Sequence, residues 1–447
     1  MTAGQAGGLE GTAPPQSKFR TIFGIGVGNA MEWFDWNIYA TFAAFFASQF
    51  FHGGSAGANL LSTLAVFAVG FLARPVGGFV FGWLADRKGR QLSMTLAVGL
   101  AAGGSLLIGF TPPYATIGIL APIILVLARL VQGLAHGGEL PSAQTYLSEM
   151  APREKRGLWS SLIYFSGTCG VIVGTLLGAV LATVLTSEQM TAFGWRIPFI
   201  LGGIFGIFAL YMRSKMHETE TFTEAAAAAD VTHEHPSLWK QIMAHPGLLA
   251  RVICLTLGAT VIYYVWAVSA PAYAISNRGV DAKGALWAGV IAQLIFIVAL
   301  PLWGSLSDRI GRRPVMLIGM IALVVLLFPL NAIIGSSAVM LGVSMTIALI
   351  FIGGFSSIAP AVYAEMFPTA IRAAGLGVPY SIAVAVFGGT APYLQTYFAE
   401  IGSPAAFNWY AMGLGVITIV TVFFMPETKG RNLSDDDHLE LLKRAKR

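Results

Sequence analysis

Charged side chains are scarce in this sequence. Lysine, arginine, aspartate and glutamate make up 11% of its 447 residues, whereas 55% are hydrophobic, and the mean hydropathy is +0.70. A soluble domain carries about 25% charged residues, so this chain has too few polar groups to cover a surface in water. The composition therefore predicts a protein whose solvent is the lipid bilayer.

Several chemical motifs are also missing. The sequence has two cysteines, Cys169 and Cys254, and both fall in apolar segments, which excludes a disulfide scaffold. It has no G-x-x-x-x-G-K-[ST] nucleotide loop, no nucleophile elbow and no short histidine spacing of the zinc-site type. We therefore expect no enzyme activity, no metal, no nucleic-acid partner and no cofactor beyond a proton gradient.

Long apolar runs, by contrast, are abundant. A membrane-spanning helix needs roughly 20 apolar residues. Twelve segments satisfy this requirement, and they lie near residues 20–50, 58–84, 92–110, 116–149, 157–186, 194–212, 248–275, 284–307, 314–334, 338–366, 370–400 and 405–425. The one long polar stretch falls between the sixth and seventh segments and reads as a linker.

The two halves of the chain repeat each other. GWLADRKGR (82–90) matches GSLSDRIGR (304–312), and EMAP (149–152) matches EMFP (365–368). A duplicated six-helix unit is typical of secondary transporters, whose substrate site lies between the halves. The predicted fold is therefore an all-α polytopic membrane protein with twelve transmembrane helices in two six-helix pseudo-repeats. The predicted divisions are a disordered tail (1–17), a first half (18–212), a linker (213–247), a second half (248–426) and a tail (427–447).

The positions of lysine and arginine predict the orientation. With both termini in the cytoplasm, Arg196, Arg278 and Lys283 are the only ones of the 27 that fall in outer loops, and Arg74 and Arg129 lie inside helices. Cytoplasmic loops carry the excess of positive charge in membrane proteins. We therefore expect cytoplasmic N- and C-termini.

The duplicated G-x-x-x-D-R-x-G-R loop resembles the signature of the major facilitator superfamily. GNAMEWFDWNIY (28–39), FLARPVGG (71–78), ARLVQGLAHGGEL (128–140) and GWRIPF (194–199) are similar to its metabolite:proton symporter family. That family includes permeases for α-ketoglutarate, citrate, shikimate, and proline or betaine. The segment at 364–393 is most similar to the α-ketoglutarate permease branch.

The resemblance implies proton-coupled symport of a small organic anion, such as α-ketoglutarate or another di- or tricarboxylate, by alternating access. It also implies a monomer in the cytoplasmic (inner) membrane. Uptake of proline or betaine is the alternative function. A non-transporting receptor of the same fold is less favoured, because we find no large soluble signalling segment in the sequence.

Ionisable residues inside the predicted spans are candidates for function, because burying a charge in the bilayer is unfavourable. Glu32 and Asp35 are three residues apart near the predicted midplane, so they share a helical face and one of them is expected to carry a proton. His136 is a candidate relay. The alternative for all three is a structural role with hydrogen bonds to neighbouring helices.

Arg74 and Arg129 are permanent charges at similar depth, and each needs an anion. They could clamp a substrate carboxylate, or they could form internal salt bridges with Glu32 or Asp35. Gln132 shares a helical face with Arg129. Further candidate substrate-binding residues are the tyrosines Tyr263, Tyr264 and Tyr380.

The charged loops at the cytoplasmic ends of the helices are expected to latch the inner side shut. The resemblance assigns this role to such pairs, and the same charges also determine topology. The predicted gate residues are Asp86, Arg87, Arg90, Glu149, Arg156, Asp308, Arg309, Arg312, Glu365 and Arg372.

Overall fold

The computed structural model describes residues 18–52, 54–88, 90–137, 139–214, 246–367 and 372–433. The predicted tail 1–17 lies outside these ranges, and so do most of the predicted linker and most of the predicted tail 427–447. All regular elements within the described ranges are helices.

The helices of the first half are α1 (Lys18–Phe50), α2 (Ala56–Leu72), α3 (Arg74–Lys88), α4 (Arg90–Phe110), α5 (Tyr114–Ile117), α6 (Leu120–Ala135), α7 (Glu139–Met150), α8 (Arg156–Val184), α9 (Ser187–Gln189) and α10 (Arg196–Ser214). A short 3₁₀ turn (Arg153–Lys155) precedes α8, and a π-helical turn (Met190–Gly194) precedes α10.

The helices of the second half are α11 (Pro246–Tyr263), α12 (Ala270–Arg278), α13 (Ala282–Ile310), α14 (Arg312–Ile333), α15 (Ala338–Ser356), α16 (Ala359–Met366), α17 (Arg372–Ala383), α18 (Ala391–Glu400) and α19 (Pro404–Phe424). We call the end of the bundle where α10 stops and α11 begins the linker end.

Each of the twelve predicted segments coincides with one helix or a run of consecutive helices, which confirms the all-α fold class. Judged by length and apolarity alone, eight helical runs in the described ranges could cross a bilayer. Two shorter apolar stretches, Thr95–Phe110 and Leu120–Ala135, belong to the third and fourth predicted segments. The first and eleventh segments are helical as well, in α1 and in α17 to α18.

Small residues bring the central helices into close contact. Helix α1 packs along α8, and α8 packs along α13 of the second half. A Cβ atom on Gly170 would lie 1.9 Å from the carbonyl oxygen of Ala30, and one on Gly174 would lie 2.5 Å from Asn37 Oδ1. Glycine at these positions lets α8 reach the backbone of α1, because small residues allow helices to approach closely.

Five of the spans are interrupted partway along their length. The second breaks at Ala73, the fourth at His136 and the tenth at Ser357, whereas the seventh and eleventh pass through π-helical turns at Tyr264–Ser269 and Val384–Gly388. Prolines follow at the starts of α12, α16 and α18, where they remove a helical hydrogen bond. Broken helices are typical of transporter binding sites. The interruptions therefore indicate the depth at which a binding site is expected.

Candidate functional site

Glycine contacts between the second and fourth spans position the first charged residues of the site. A Cβ atom on Gly137 would lie 2.0 Å from the carbonyl oxygen of Arg74, and one on Gly77 would lie 2.0 Å from that of Leu134. The two backbones therefore touch on both sides of the helix breaks. This contact fixes Arg74, at the start of α3, and His136, at the end of α6, beside α1.

Glu32 of α1 forms an ion pair with Arg74. Arg74 Nη2 lies 3.2 Å from Glu32 Oε1, and both side chains are buried. The guanidinium carbon of Arg74 also lies 4.2 Å from the centre of the Trp36 ring and 4.5 Å from that of Phe71. Of the two interpretations open for Arg74, the structure contains the internal salt bridge.

Asp35 contacts different helices from Glu32, although one turn of α1 separates them. The Ser105 hydroxyl of α4 donates a hydrogen bond of 3.1 Å to Asp35 Oδ1. His136 Nε2 lies 3.8 Å from Asp35 Oδ2, which is too long for a hydrogen bond. The sequence predicts two carboxyls that share one face, whereas the structure gives each carboxyl its own partners.

Arg129 is completely buried and is linked to Asp35 through two neutral side chains. Arg129 Nη1 donates to Gln132 Oε1 at 2.8 Å, and Gln132 Nε2 donates to the Ser105 hydroxyl at 2.8 Å. Among the described residues, Arg129 Nε and Nη2 have no hydrogen-bond partner. The guanidinium instead lies 4.0 Å from the ring centre of Trp36, which therefore separates the two arginines.

Ser105 completes this relay, and the sequence did not single it out. A serine in an apolar span is common, because its hydroxyl can bond to a backbone carbonyl of its own helix. Gln132 was predicted to bind substrate beside Arg129. The structure places its buried amide between Arg129 and Ser105.

Aromatic residues of both halves meet next to this charge cluster. The Trp33 ring lies 5.4 Å from Tyr263 and 6.4 Å from Tyr264, measured between ring centres. Tyr164 of α8 lies 5.7 Å from Tyr263, and Phe71 lies 5.1 Å from Tyr264. The predicted tyrosine pair of the seventh span therefore faces the first half, and Trp33 is an additional member.

Tyr380 of α17 joins the same cluster from the eleventh span. It is buried, and its ring centre lies 6.0 Å from that of Tyr363. Helix α17 also contacts α3, which begins at Arg74. The structure thus brings Arg74, Glu32 and all three predicted tyrosines into one region where the halves meet.

At the linker end, ion pairs join the two halves, and one of them, between Arg156 and Glu365, is buried. Glu365 Oε1 of α16 lies 2.9 Å from Arg156 Nη1 of α8 and 3.5 Å from Arg312 Nη2 of α14. The side chains of Glu365 and Arg312 are completely buried. Arg372 of α17 pairs with Glu149 of α7 at 2.5 Å.

Asp308 makes a further contact between the halves. Its carboxylate accepts backbone hydrogen bonds from Gly157 (2.8 Å) and Leu158 (2.9 Å) at the start of α8. It also pairs with Arg312 at 2.7 Å. A carboxylate at a helix N-terminus is stabilised by the free backbone N–H groups and by the helix dipole.

The remaining predicted gate residues form no ion pair between the halves among the side chains that the structure describes. Arg309 is exposed, and its carbonyl oxygen accepts a hydrogen bond from Lys429 Nζ at 2.7 Å. The side chains of Asp86, Arg87 and Arg90 lie outside the part of the chain whose side chains are described. In the described ranges, no group of three or more histidine, cysteine, aspartate or glutamate residues could hold a metal ion.

Comparison with known proteins identifies the family. Residues 25–299 match the Major Facilitator Superfamily, and residues 226–438 match the family described as Sugar (and other) transporter. The chain is 36% identical to an alpha-ketoglutarate permease of Escherichia coli over 92% of its own length and 94% of the relative's. It is 31% identical to a proline/betaine transporter of Salmonella typhimurium, over 93% and 84% of the two chains.

Solved structures share the fold. The proton:xylose symporter XylE bound to 6-bromo-6-deoxy-D-glucose superposes with a TM-score of 0.72 at 18% identity, over 94% of this chain and 98% of that one. At 18% identity, this similarity shows that the two proteins share a fold and carries no statement about the substrate. Together with the two halves, the twelve helical segments and the relatives, it shows that this chain belongs to the Major Facilitator Superfamily and is a multi-pass membrane transporter rather than an enzyme.

Proposed function

We propose that this transporter takes up a small organic anion together with protons, and that the anion is α-ketoglutarate or another di- or tricarboxylate. One observation carries the proposal. Two buried arginines, Arg74 and Arg129, form a cluster with the buried Glu32 and with Asp35, whose side chain is 13% exposed, and the cluster faces the tyrosines of the second half. The similarity to the alpha-ketoglutarate permease supports the same substrate class.

The Glu32–Arg74 pair provides a mechanism for coupling. While Glu32 is ionised it occupies Arg74, at 3.2 Å. Protonation of Glu32 removes that competitor, and a substrate carboxylate can then take its place with the planar hydrogen-bonding geometry that arginine favours. Proton and anion therefore each favour binding of the other, and linkage requires the effect to be reciprocal.

Asp35 supplies a second protonatable group. It connects to Arg129 through Ser105 and Gln132, so a change in its protonation alters the charge balance around Arg129 without direct contact. In this proposal His136 lies beside Asp35 as a candidate relay.

The proposed orientation places both termini in the cytoplasm and the linker end at the cytoplasmic face of the inner membrane. The ion pairs of Glu365 and Glu149 would then close the inner side, and separation of the halves at this end would release substrate. The proposed unit is a monomer that uses no cofactor beyond the proton gradient.

The test is uptake of labelled α-ketoglutarate into proteoliposomes under an imposed pH gradient, compared with its neutral amide analogue. We expect the pH gradient to drive uptake of the anion but not of the amide. Glu32→Gln and Asp35→Asn should be compared in uphill uptake and in counterflow exchange. A variant that has lost proton coupling loses uphill uptake and keeps counterflow exchange. Full gradient-driven uptake by both variants would contradict proton coupling at these residues.

The substitutions Arg74→Lys and Arg129→Lys test anion recognition. Lysine keeps the positive charge but lacks the planar fork. We expect the carboxylate affinity to fall in at least one of them. If both bind the anion normally, the arginines are structural.

Uptake of a zwitterionic osmolyte is a second candidate function, because the rings of Trp33, Tyr164, Tyr263 and Tyr264 form a cluster of the kind that binds quaternary ammonium groups. The similarity to proline/betaine transporters also supports it. Uptake of betaine but not of carboxylates in the same proteoliposomes would favour this function.

A further inference from the structure

Gln144 of α7 carries a buried amide. Its side chain is completely buried, yet neither Nε2 nor Oε1 has a hydrogen-bond partner among the described residues. Burying an amide without a partner is unfavourable, whereas an apolar side chain of similar size would avoid the penalty. A partner that arrives in another state of the transporter would remove this penalty.

Gln144 lies on a helix of the first half that contacts the second half. Helix α7 packs against α16 and α17 of the second half. One turn beyond Gln144, the Ser148 hydroxyl donates to the carbonyl oxygen of Pro360 at 3.4 Å, so this face of α7 contacts the other half. The Tyr380 hydroxyl lies beside Gln144, although the two do not meet the geometric criteria for a hydrogen bond.

Helix α17, which carries Tyr380, packs against α7, which carries Gln144, and against α3, which begins at Arg74. An elongated molecule beside Tyr380 could therefore reach Arg74 with one end and Gln144 with the other. At the Arg74 end the site offers a positive charge. At the Gln144 end it offers neutral donors, since the amide has two N–H groups and the tyrosine has one O–H group.

We propose that Gln144 binds the distal carboxylate of a dicarboxylate substrate whose other carboxylate is held by Arg74. The inference rests on the proposed function and makes it more specific, because it assigns a residue that distinguishes dicarboxylates from monocarboxylates. A polar group built to bond a substrate group discriminates strongly against analogues that lack it.

The experiment compares α-ketoglutarate with α-ketovalerate, which has the same carbon skeleton but a methyl group in place of the distal carboxylate. Wild-type protein should prefer α-ketoglutarate. In Gln144→Met, which keeps the length of the side chain and loses the amide, we expect α-ketoglutarate uptake to fall by about tenfold or more, as loss of a hydrogen bond to a charged group predicts. Uptake of α-ketovalerate should change by less than about twofold.

The matched control is Gln395→Met. Gln395 is also buried with an unpartnered amide oxygen, but it lines a separate cavity of about 190 Å³ beside Arg278 and Asn408, away from the linker end. We expect it to keep the wild-type preference. If Gln144→Met does not reach the membrane, Gln144→Asn serves instead, and its shorter amide should shift the preference toward the longer α-ketoadipate.

The outcomes are distinguishable. An unchanged preference for α-ketoglutarate in Gln144→Met overturns the proposal for Gln144 and leaves the proposed function intact. An equal loss for both substrates also overturns it, since that is what a structural role produces. If wild-type protein takes up neither acid, the proposed function itself fails and takes this inference with it.

Discussion

Glu365 is a buried carboxylate that pairs with Arg156 of the other half at the linker end, and we expect its replacement to open that end. Its side chain is completely buried, and its Oε1 atom lies 2.9 Å from Arg156 and 3.5 Å from Arg312. Glu365→Gln preserves the shape of the side chain and removes its charge. Two buried guanidiniums then share a neutral amide.

The magnitude follows from burial. Removing one partner of a buried ion pair costs about 3–5 kcal/mol, because the remaining charge stays desolvated. Arg156 lies in the first half and Glu365 in the second, so parting of the halves breaks their contact and lets water reach the arginine. The penalty therefore falls on the closed state. Taking the lower value, the equilibrium should shift toward the open linker end by a factor of about 100.

The assay is cysteine labelling at Ser357. This residue is completely buried, and its carbonyl oxygen accepts a hydrogen bond of 2.8 Å from Ser160 across the contact between the halves. A cysteine there should react faster with a soluble maleimide when Glu365→Gln is present. The native Cys169 and Cys254 are replaced by serine beforehand.

The control is Arg309→Gln, which removes an exposed charge from the same end. We expect no change in labelling from it, because surface charges contribute little. An unchanged labelling rate in Glu365→Gln would refute the reasoning. Equal acceleration by Arg309→Gln would refute it as well, since the effect would then follow from net charge.

Three further predictions concern single positions. Gly137→Ala places a methyl group 2.0 Å from the carbonyl oxygen of Arg74, so we expect a clear loss of thermal stability in detergent and loss of uptake. Ser105→Ala removes the hydroxyl that bonds Asp35, so gradient-driven uptake should fall about tenfold while counterflow persists, and Ser105→Thr should retain function. Burial would raise the pKa of Glu427, but backbone N–H donors on its carboxylate lower that pKa below the usual value. Its stabilisation is therefore present above about pH 4.3 and lost as the pH falls through the lowered pKa. We expect cleavage by pepsin, a protease active in acid, to increase near Glu427 over this pH range in the wild-type protein, relative to Glu427→Gln, which lacks the titrating group.

The sequence was informative where a single segment determines the structure. A run of about 20 apolar residues can satisfy its backbone in lipid only as a helix or in a closed barrel, so the twelve spans could be predicted from length and composition. The ionisable residues stood out for the same reason, because Arg74 and Glu32 are conspicuous inside such runs.

The sequence was uninformative where the structure depends on how helices are rotated and docked. Arg156 and Glu365 are 209 residues apart, and no local pattern indicates that they pair across the halves. Asp35 accepts a hydrogen bond from Ser105 of α4, whereas Glu32 pairs with Arg74 of α3, and the sequence does not show which helix each carboxyl meets. Ser105 itself carried no signal.

Within the described ranges, the two halves are in contact at both ends of the bundle. At the end opposite the linker end, the Asn277 amide donates a hydrogen bond of 3.0 Å to the Glu400 carboxylate. A Cβ atom on Gly57 of α2 would overlap the same carboxylate oxygen, so the end of α18 contacts the start of α2.

Inside, two arginines balance two carboxylates when both acids are ionised. An incoming dicarboxylate adds negative charge to a region that excludes water, where uncompensated charge is unfavourable. Protonation of Glu32, of Asp35 or of both lowers that excess as the substrate enters. In the proposed cycle the halves can therefore close over anion and protons together more easily than over the anion alone, and coupling follows from the charge balance of the closed site without a dedicated gate for the proton.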